Sequence, residues 1–438
     1  MGASGGLSID FGERPALGAY EGGATTMRRY APCIALFVLA TAGAATAVTQ
    51  QQIDHQARTA GRLLERVTRS LSSDKMMGRD NNTPESLAAQ HYLVRRLKSR
   101  GNGLNTLGSG EEAFKQHFVL SGQTGTNLLA VIPGSELPNE YVIVGAHYDH
   151  LDTRSNASGD CSTGTAPGGA VCNGATDNAT GVAAVLAIGK AIKRLHPKPK
   201  RSVILALWDA EEDGLVGSRY YVTNPLVPLA QTKGYVNYDI AGANLLPTLH
   251  KNTFAVGSET GGSILRDIVD SAVAKQTLDV RPFSYIFGQL RSDYASFVSL
   301  GSIPTVFYSD STGGCYHTTG DDFSVVNFDK LAQQSELGYR TVVALADADT
   351  PPTFVAPNPA LAVYEDALSV QSVLNTAFPA DLALFSAADQ ASITSFKTQI
   401  DAVVAAGPGA FDSGDVTTVL NAAVTLVSTL TDTGCHAF

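Results

Sequence analysis

The chain has 438 residues, 44% of them hydrophobic and 16% charged, with a net charge of −10. That length buries a large core in one or two domains, and the composition is that of a globular protein. The acidic balance argues against a nucleic-acid binder, which needs clustered Lys and Arg, and Gly101-Asn102-Gly103 lacks the third glycine and preceding strand of a dinucleotide site.

Arg28 and Arg29 precede an uncharged stretch from Tyr30 to Thr49 with a short apolar core, Ile34 to Ala40, and a small-x-small site at Ala45-Thr46-Ala47. This reads as a secretory signal cleaved after Ala47, with Met27 as its natural start and residues 1–26 as an upstream extension. The rival, an uncleaved anchor, needs about 20 strongly apolar residues, which this Ala-rich stretch lacks. A secreted or periplasmic protein without stable membrane insertion is expected. Loss of Cys33 with the signal leaves Cys161, Cys172, Cys315 and Cys435, which allow three pairings. Cys161 and Cys172 flank a Gly/Ala/Thr/Pro loop that a local bridge would stiffen, and Cys315 with Cys435 would then remain. Export favours bridges over free thiols, and none of the four has Cys-x-x-Cys zinc spacing.

From Gln52 to Gly101 the spacing is helical, with Leu63, Leu64, Val67 and Leu71 on one face and Leu87, Tyr92, Leu93 and Leu97 on another. Lys75 to Pro84 reads as a polar loop. Asn127–Ile132 and Tyr141–Ala146 read as strands, Thr176–Leu195 as a buried helix, and the apolar run Val203–Trp208 as a strand buried on both faces. A short helix over Gly214–Thr223 follows, then strands at Tyr235–Ile240, Thr253–Val256 and Pro304–Tyr308. Further helices are predicted at Gly261–Lys275, Asp293–Leu300 and Phe328–Ala346. Strands alternating with helices predict an α/β domain over residues 50–350, with a mixed, mostly parallel sheet flanked by helices on both faces. Pro351, Pro352, Pro357 and Pro359 mark a linker to a helical C-terminal extension, residues 356–438, of no legible role.

In such a sheet the site lies beyond the carboxyl ends of the strands. Polar residues recur there: His147, Tyr148, Asp149 and His150 after one strand, adjacent Glu211 and Glu212 after another, Asp239 among apolar neighbours near the end of a third, and His317 after a Gly-rich turn. Asp177 stands before the buried helix. Singly, each has a structural alternative: a hydrogen-bonded core histidine for His147, an N-cap for Asp177, a hydrogen-bonded structural acid for Asp239. Together they offer two histidines and three carboxylates, one shared, which suits two zinc ions, and one acid left to move a proton. Asp149, two residues past His147, could take the proton on its far imidazole nitrogen.

The segments Gly145–His150, Asn173–Gly181, Trp208–Ser218, Asn237–Asp239 and Tyr316–Thr318 resemble, in order, the motifs of the co-catalytic di-zinc aminopeptidases, and the resemblance spans roughly residues 50–350. It implies a zinc-exopeptidase-like fold and hydrolysis of N-terminal residues from peptides by a metal-activated water. His147, Asp177 and Asp239 would hold one Zn2+, and Asp177, Glu212 and His317 a second. Glu211 would be the general base, Asp149 the orienter of His147, and Tyr316 the oxyanion donor. Ser292-Asp293-Tyr294 departs from the family's Ser-Asp-His, which leaves Tyr294 without a role, and His150 matches a subgroup feature without one. The alternatives are a carboxypeptidase, with Arg281 or Arg291 for the substrate carboxylate, a one-zinc glutaminyl cyclase, or a non-catalytic binding module.

Overall fold

The computed structural model describes residues 48–438 apart from 58–59, 105–106, 154–160, 163–168, 359, 379, 432 and 436–438. The expected signal segment lies outside the described residues, and so does Asn156-Ala-Ser158, whose sequence fits the Asn-x-Ser/Thr glycosylation pattern. The described part belongs to one unit, Ala45–Phe438.

Eight strands form one sheet: β1 (Lys115–Leu120), β2 (Gln123–Ile132), β3 (Leu137–His147), β4 (Arg201–Trp208), β5 (Thr232–Tyr238), β6 (Asn252–Val256), β7 (Asp279–Phe283) and β8 (Thr305–Ser309). Their order is β1-β2-β4-β3-β5-β8-β6-β7. The central β4, β3, β5 and β8 run parallel, while β2 joins β4, and β6 joins β8, in antiparallel pairs. The mixed, mostly parallel sheet is as expected. Two strands were not anticipated. β1 is a short hairpin arm paired antiparallel to β2. β7 lies at the sheet edge and contains Pro282, which takes away a ladder donor and masks a strand pattern.

Among the described residues the helices are α1 (Gln50–Ala57), α2 (Gly61–Leu71), α3 (Pro84–Lys98), α4 (Thr180–Arg194), α5 (Val216–Thr223), α6 (Gly262–Val273), α7 (Tyr294–Ser299), α8 (Phe328–Asp347), α9 (Tyr364–Ala377), α10 (Ala387–Ala406) and α11 (Ser413–Thr431). Strand alternation divides the core between the two sheet faces. β4 sends Val203, Leu205 and Leu207 to the face covered by α2, α3, α4 and α8. It sends Ile204, Ala206 and Trp208 to the face shared with α5, α7 and the C-terminal helices. Every residue of β4 is buried, which is why the strand reads as one continuous apolar run. Leu87 departs from the expected α3 face. It is 57% exposed, because Ala89, Leu93, Val94 and Leu97 carry the buried stripe.

The extension is helical as expected, and it shares its core with the sheet. Val370 and Leu374 of α9 and Val419 and Ala422 of α11 belong to the same apolar cluster as Phe254 and Phe307. Polar ties reinforce this packing. Asp366 accepts hydrogen bonds from the Ser284 amide and hydroxyl, both at 2.7 Å, and Ser369 Oγ donates to the Pro282 carbonyl at 2.7 Å. Disulfides join Cys161 to Cys172 and Cys315 to Cys435, the pairing expected from the spacing.

Candidate metal centre

The parallel register brings three strand ends level. His147 ends β3 opposite Trp208 of β4, and Gly145 pairs with Asn237 of β5. The segments that follow these strands therefore open on one edge of the sheet, and they carry Asp149, His150, Glu211, Glu212 and Asp239. Asp177 comes from the kinked turn Ala175–Ala179 just before α4. It does not cap the helix. That position falls to Ala179, and the Asp177 carboxylate faces the histidines instead.

The six residues expected as ligands or base converge. His147 Nε2 lies 3.3 Å from both Asp177 Oδ1 and Asp239 Oδ1, and 4.0 Å from Glu211 Oε2. His317 Nε2 lies 3.1 Å from Glu212 Oε2 and 3.5 Å from Asp177 Oδ2. Asp177 thus stands between the two histidines. Three sets of side chains could each hold an ion: His147, Asp177 and Asp239; His147, Glu211 and Glu212; and His150, Asp177 and Glu212. The third set includes a residue to which the sequence assigned no role. His150 is fully buried, its Nδ1 is 2.7 Å from Glu212 Oε1, and its Nε2 has no hydrogen-bond partner. Its place in the sequence, at the end of His-x-x-His after a strand, was the available signal.

Asp149 lies behind His147 with its backbone carbonyl as the nearer acceptor. His147 Nδ1 is 3.1 Å from that oxygen and 3.6 Å from the Asp149 carboxylate. The carboxylate accepts instead from the Glu212 amide at 3.2 Å. Tyr316 stacks on the His317 ring, and its hydroxyl accepts a hydrogen bond from Arg291 at 2.9 Å.

Groups outside the expected set hold this arrangement. Arg79, fully buried, donates to the carbonyls of Tyr148 at 2.7 Å, Asn173 at 2.6 Å and Gly174 at 2.8 Å. It clamps the His147 segment to the Asp177 turn from within what the sequence presents as a polar loop. Asp321 accepts from the amides of Thr176 at 2.8 Å and Asp177 at 3.0 Å. Three non-glycine residues beside the site have left-handed backbones: Ala210 (φ 54°), Ile240 (φ 57°) and His317 (φ 55°). Such conformations are costly, most of all for a β-branched residue, and they concentrate where side chains are aimed for function.

Packing acids and histidines together sets their protonation. Burial raises Glu211 well above the ordinary carboxylate range, and Asp239 and Glu212 push the same way against His147. Burial and Asp177 also press Glu212 upward, but His150 and His317 outweigh them and bring it to about 2. Burial pulls His317 down, yet Asp177 and Glu212 lift it to about 10. His147 behaves alike: burial opposes its charge, and Glu211 and Asp239 overcome it. The two adjacent glutamates are therefore unlike. Glu212 is held ionised by two imidazoles, while the sole cationic group within ion-pair reach of Glu211, among the described residues, is His147 at 4.0 Å. A ring of imidazole nitrogens and carboxylate oxygens, with a buried unpartnered nitrogen on His150, is a donor set suited to zinc.

Residues 127–342 match the model of peptidase family M28. The chain carries a peptidase family M28 domain. That domain holds the site residues and all of the central strands. Leupeptin-inactivating enzyme 1 of Streptomyces exfoliatus is 30% identical over 249 residues, 50% of this chain and 48% of that protein. A probable glutamate carboxypeptidase of Arabidopsis thaliana is 31% identical over 210 residues, 45% of this chain and 28% of that protein. Leucine aminopeptidase 1 of Arthroderma gypseum is 26% identical over 259 residues, 56% of this chain and 63% of that protein. The chain thus spans less than two thirds of each of these relatives. In fold the chain is similar to the LapA aminopeptidase of Legionella pneumophila, with a TM-score of 0.53 and 17% identity over 71% of this chain and 78% of that one.

Proposed function

We propose that the chain is a zinc-dependent aminopeptidase that removes N-terminal residues from peptides. The observation that carries this reading is the pairing of a histidine–carboxylate cluster with one buried glutamate, Glu211, left outside strong ion pairs. The match to peptidase family M28 and the similarity to a leucine aminopeptidase support it.

His147, Asp177 and Asp239 would hold one zinc, and Asp177 and Glu212 with His317 or His150 a second. Bound zinc supplies Lewis acidity toward the scissile carbonyl and toward water. Glu211 takes the proton from the attacking water and delivers it to the departing amine, a role suited to a carboxylate whose pKa burial has raised. Tyr316 accepts from Arg291, which leaves its own hydroxyl proton free to donate to the carbonyl oxygen as negative charge develops there. The Asp149 carbonyl keeps His147 in one tautomer. Two disulfides accord with an extracellular or periplasmic location, and no helix among the described residues is long and apolar enough to cross a membrane.

A second reading, carboxypeptidase, has one structural observation behind it: Arg291 beside the site could bind a substrate carboxylate. Paired peptides separate the two. An aminopeptidase cleaves a C-terminally amidated peptide with a free amine and spares an N-acetylated peptide of the same sequence with a free C-terminal carboxylate. The reverse pattern would replace the first reading with the second.

A further inference from the structure

The cluster opens into a cavity of about 150 Å³ that reaches from Asp177, Glu211, Glu212 and Asp239 to the C-terminal extension. Phe254, Phe283, Phe287 and Phe307 of the M28 domain line it. Further lining comes from beyond the M28 domain: Val370 and Val373 of α9, and Ala423, Leu426, Val427 and Leu430 of α11. The four α11 positions are spaced by three, one and three residues, so one stripe of that helix faces the cavity. Charged groups stand at the metal end only, with Arg291 beside Tyr316. The rest of the lining is mostly apolar, with Gln289, Ser309, Ser311 and Thr312 as its uncharged polar members.

The end of the extension is fixed to the catalytic loop itself. Cys435 is bonded to Cys315, the residue before Tyr316. Gly434 lies so close to Gly314 that a Cβ there would meet the Gly434 carbonyl at 1.9 Å. The helix that walls the cavity is therefore tied to the segment that carries Tyr316 and His317.

We infer that the C-terminal extension is a specificity element: α9 and α11 complete the pocket for the side chain of the substrate's N-terminal residue and select large apolar ones such as Leu, Phe and Met. This rests on the aminopeptidase reading for the identity of the occupant. A residue bound with its scissile carbonyl at the cluster has this cavity as its nearest side-chain space. An ionised side chain would be buried there without a partner, and a small one would leave the aromatic and aliphatic walls unfilled.

The test is the ratio of kcat/KM for leucine p-nitroanilide to that for alanine p-nitroanilide, in the zinc-loaded full chain. The parent should favour leucine strongly. Leu426→Trp fills the cavity from the α11 side and should lower the ratio by about tenfold or more, a size in keeping with what apolar pockets discriminate. Leu426→Ala, which removes only partly exposed atoms and keeps the helix, should raise the preference for phenylalanine over leucine. Ratios unchanged in both variants, with zinc content and circular dichroism like the parent's, would overturn the inference. Calorimetric binding of free leucine against free alanine separates this outcome from failure of the aminopeptidase reading. If the parent turns over neither anilide, tighter binding of leucine that Leu426→Trp abolishes still supports the pocket, and equal binding of leucine by parent and variant rejects it.

Discussion

Single side chains divide here into those aimed at the cavity and those that aim them. His147, Asp177, Glu212, Asp239 and His317 were readable because each follows an apolar run or a turn, where a charged group has no place in the core. His150 and Arg79 were not readable in the same way. What gives His150 its place is the proximity of Glu212, 62 residues away in sequence. Arg79 sits in a non-periodic polar stretch, and only its burial against three distant carbonyls gives it weight. Its turn also needs Gly78, where a Cβ would fall 1.6 Å from the Leu151 carbonyl. Arg79→Ala would leave those buried carbonyls unpaired and should cost about 3–5 kcal/mol, read as a lower urea midpoint. His150→Ala should lower zinc affinity by roughly tenfold or more if His150 holds or orients a ligand, measured by competition with a chelating dye. Unchanged affinity would restrict His150 to packing.

Elements were legible to the extent that burial left a pattern. The wholly buried β4 and the helices α4 and α8 stand out by apolar runs and 3.6-residue spacing, whereas the edge pieces β1 and β7 carry too few buried residues to show. The extension's helices were visible, but their seat against β6–β8 was not, because nothing local in α11 says which surface covers it. Beneath the site the strands are joined by a polar chain. Trp208 Nε1 donates to the Tyr235 hydroxyl at 2.9 Å, that hydroxyl donates to Asn237 Oδ1 at 2.5 Å, and Asn237 Nδ2 donates to Ser292 Oγ at 2.8 Å. Gly145 of β3 leaves room for it, since a Cβ there would lie 2.7 Å from Trp208 Nε1. Gly145→Ala should therefore separate β3 from its neighbours two residues before His147. The expected result is a loss of about 1–3 kcal/mol in stability together with weaker zinc retention after dialysis. Parent-like stability would show that the strands can shift around the added methyl.

At the scale of the whole molecule, the centre joins three strand ends, the Asp177 turn and the loop tethered by Cys315–Cys435, so metal, protons and stability are linked. In the metal-free protein His147 and His317 have raised pKa values and keep their protons at pH 7. Their charge stabilises the metal-free fold fully below the ordinary histidine range, and this contribution is lost as pH rises through the raised values. Zinc must displace those protons. Apparent zinc affinity should therefore fall as pH drops from 8 to 6, with proton release on binding seen by calorimetry in buffers of different ionisation enthalpy. Chelation at pH 7 should lower Tm by on the order of 5 °C or more, since zinc bound only by the folded state stabilises it by mass action. In the proposed function the metal cluster works with Glu211 as its proton acceptor. Glu211→Gln tests this, with zinc per chain and kcat on a free-amine peptide measured in one preparation. Zinc content should equal the parent's while kcat falls by roughly 100- to 10,000-fold. Full zinc content with near-parental kcat would rule out Glu211 as the proton acceptor.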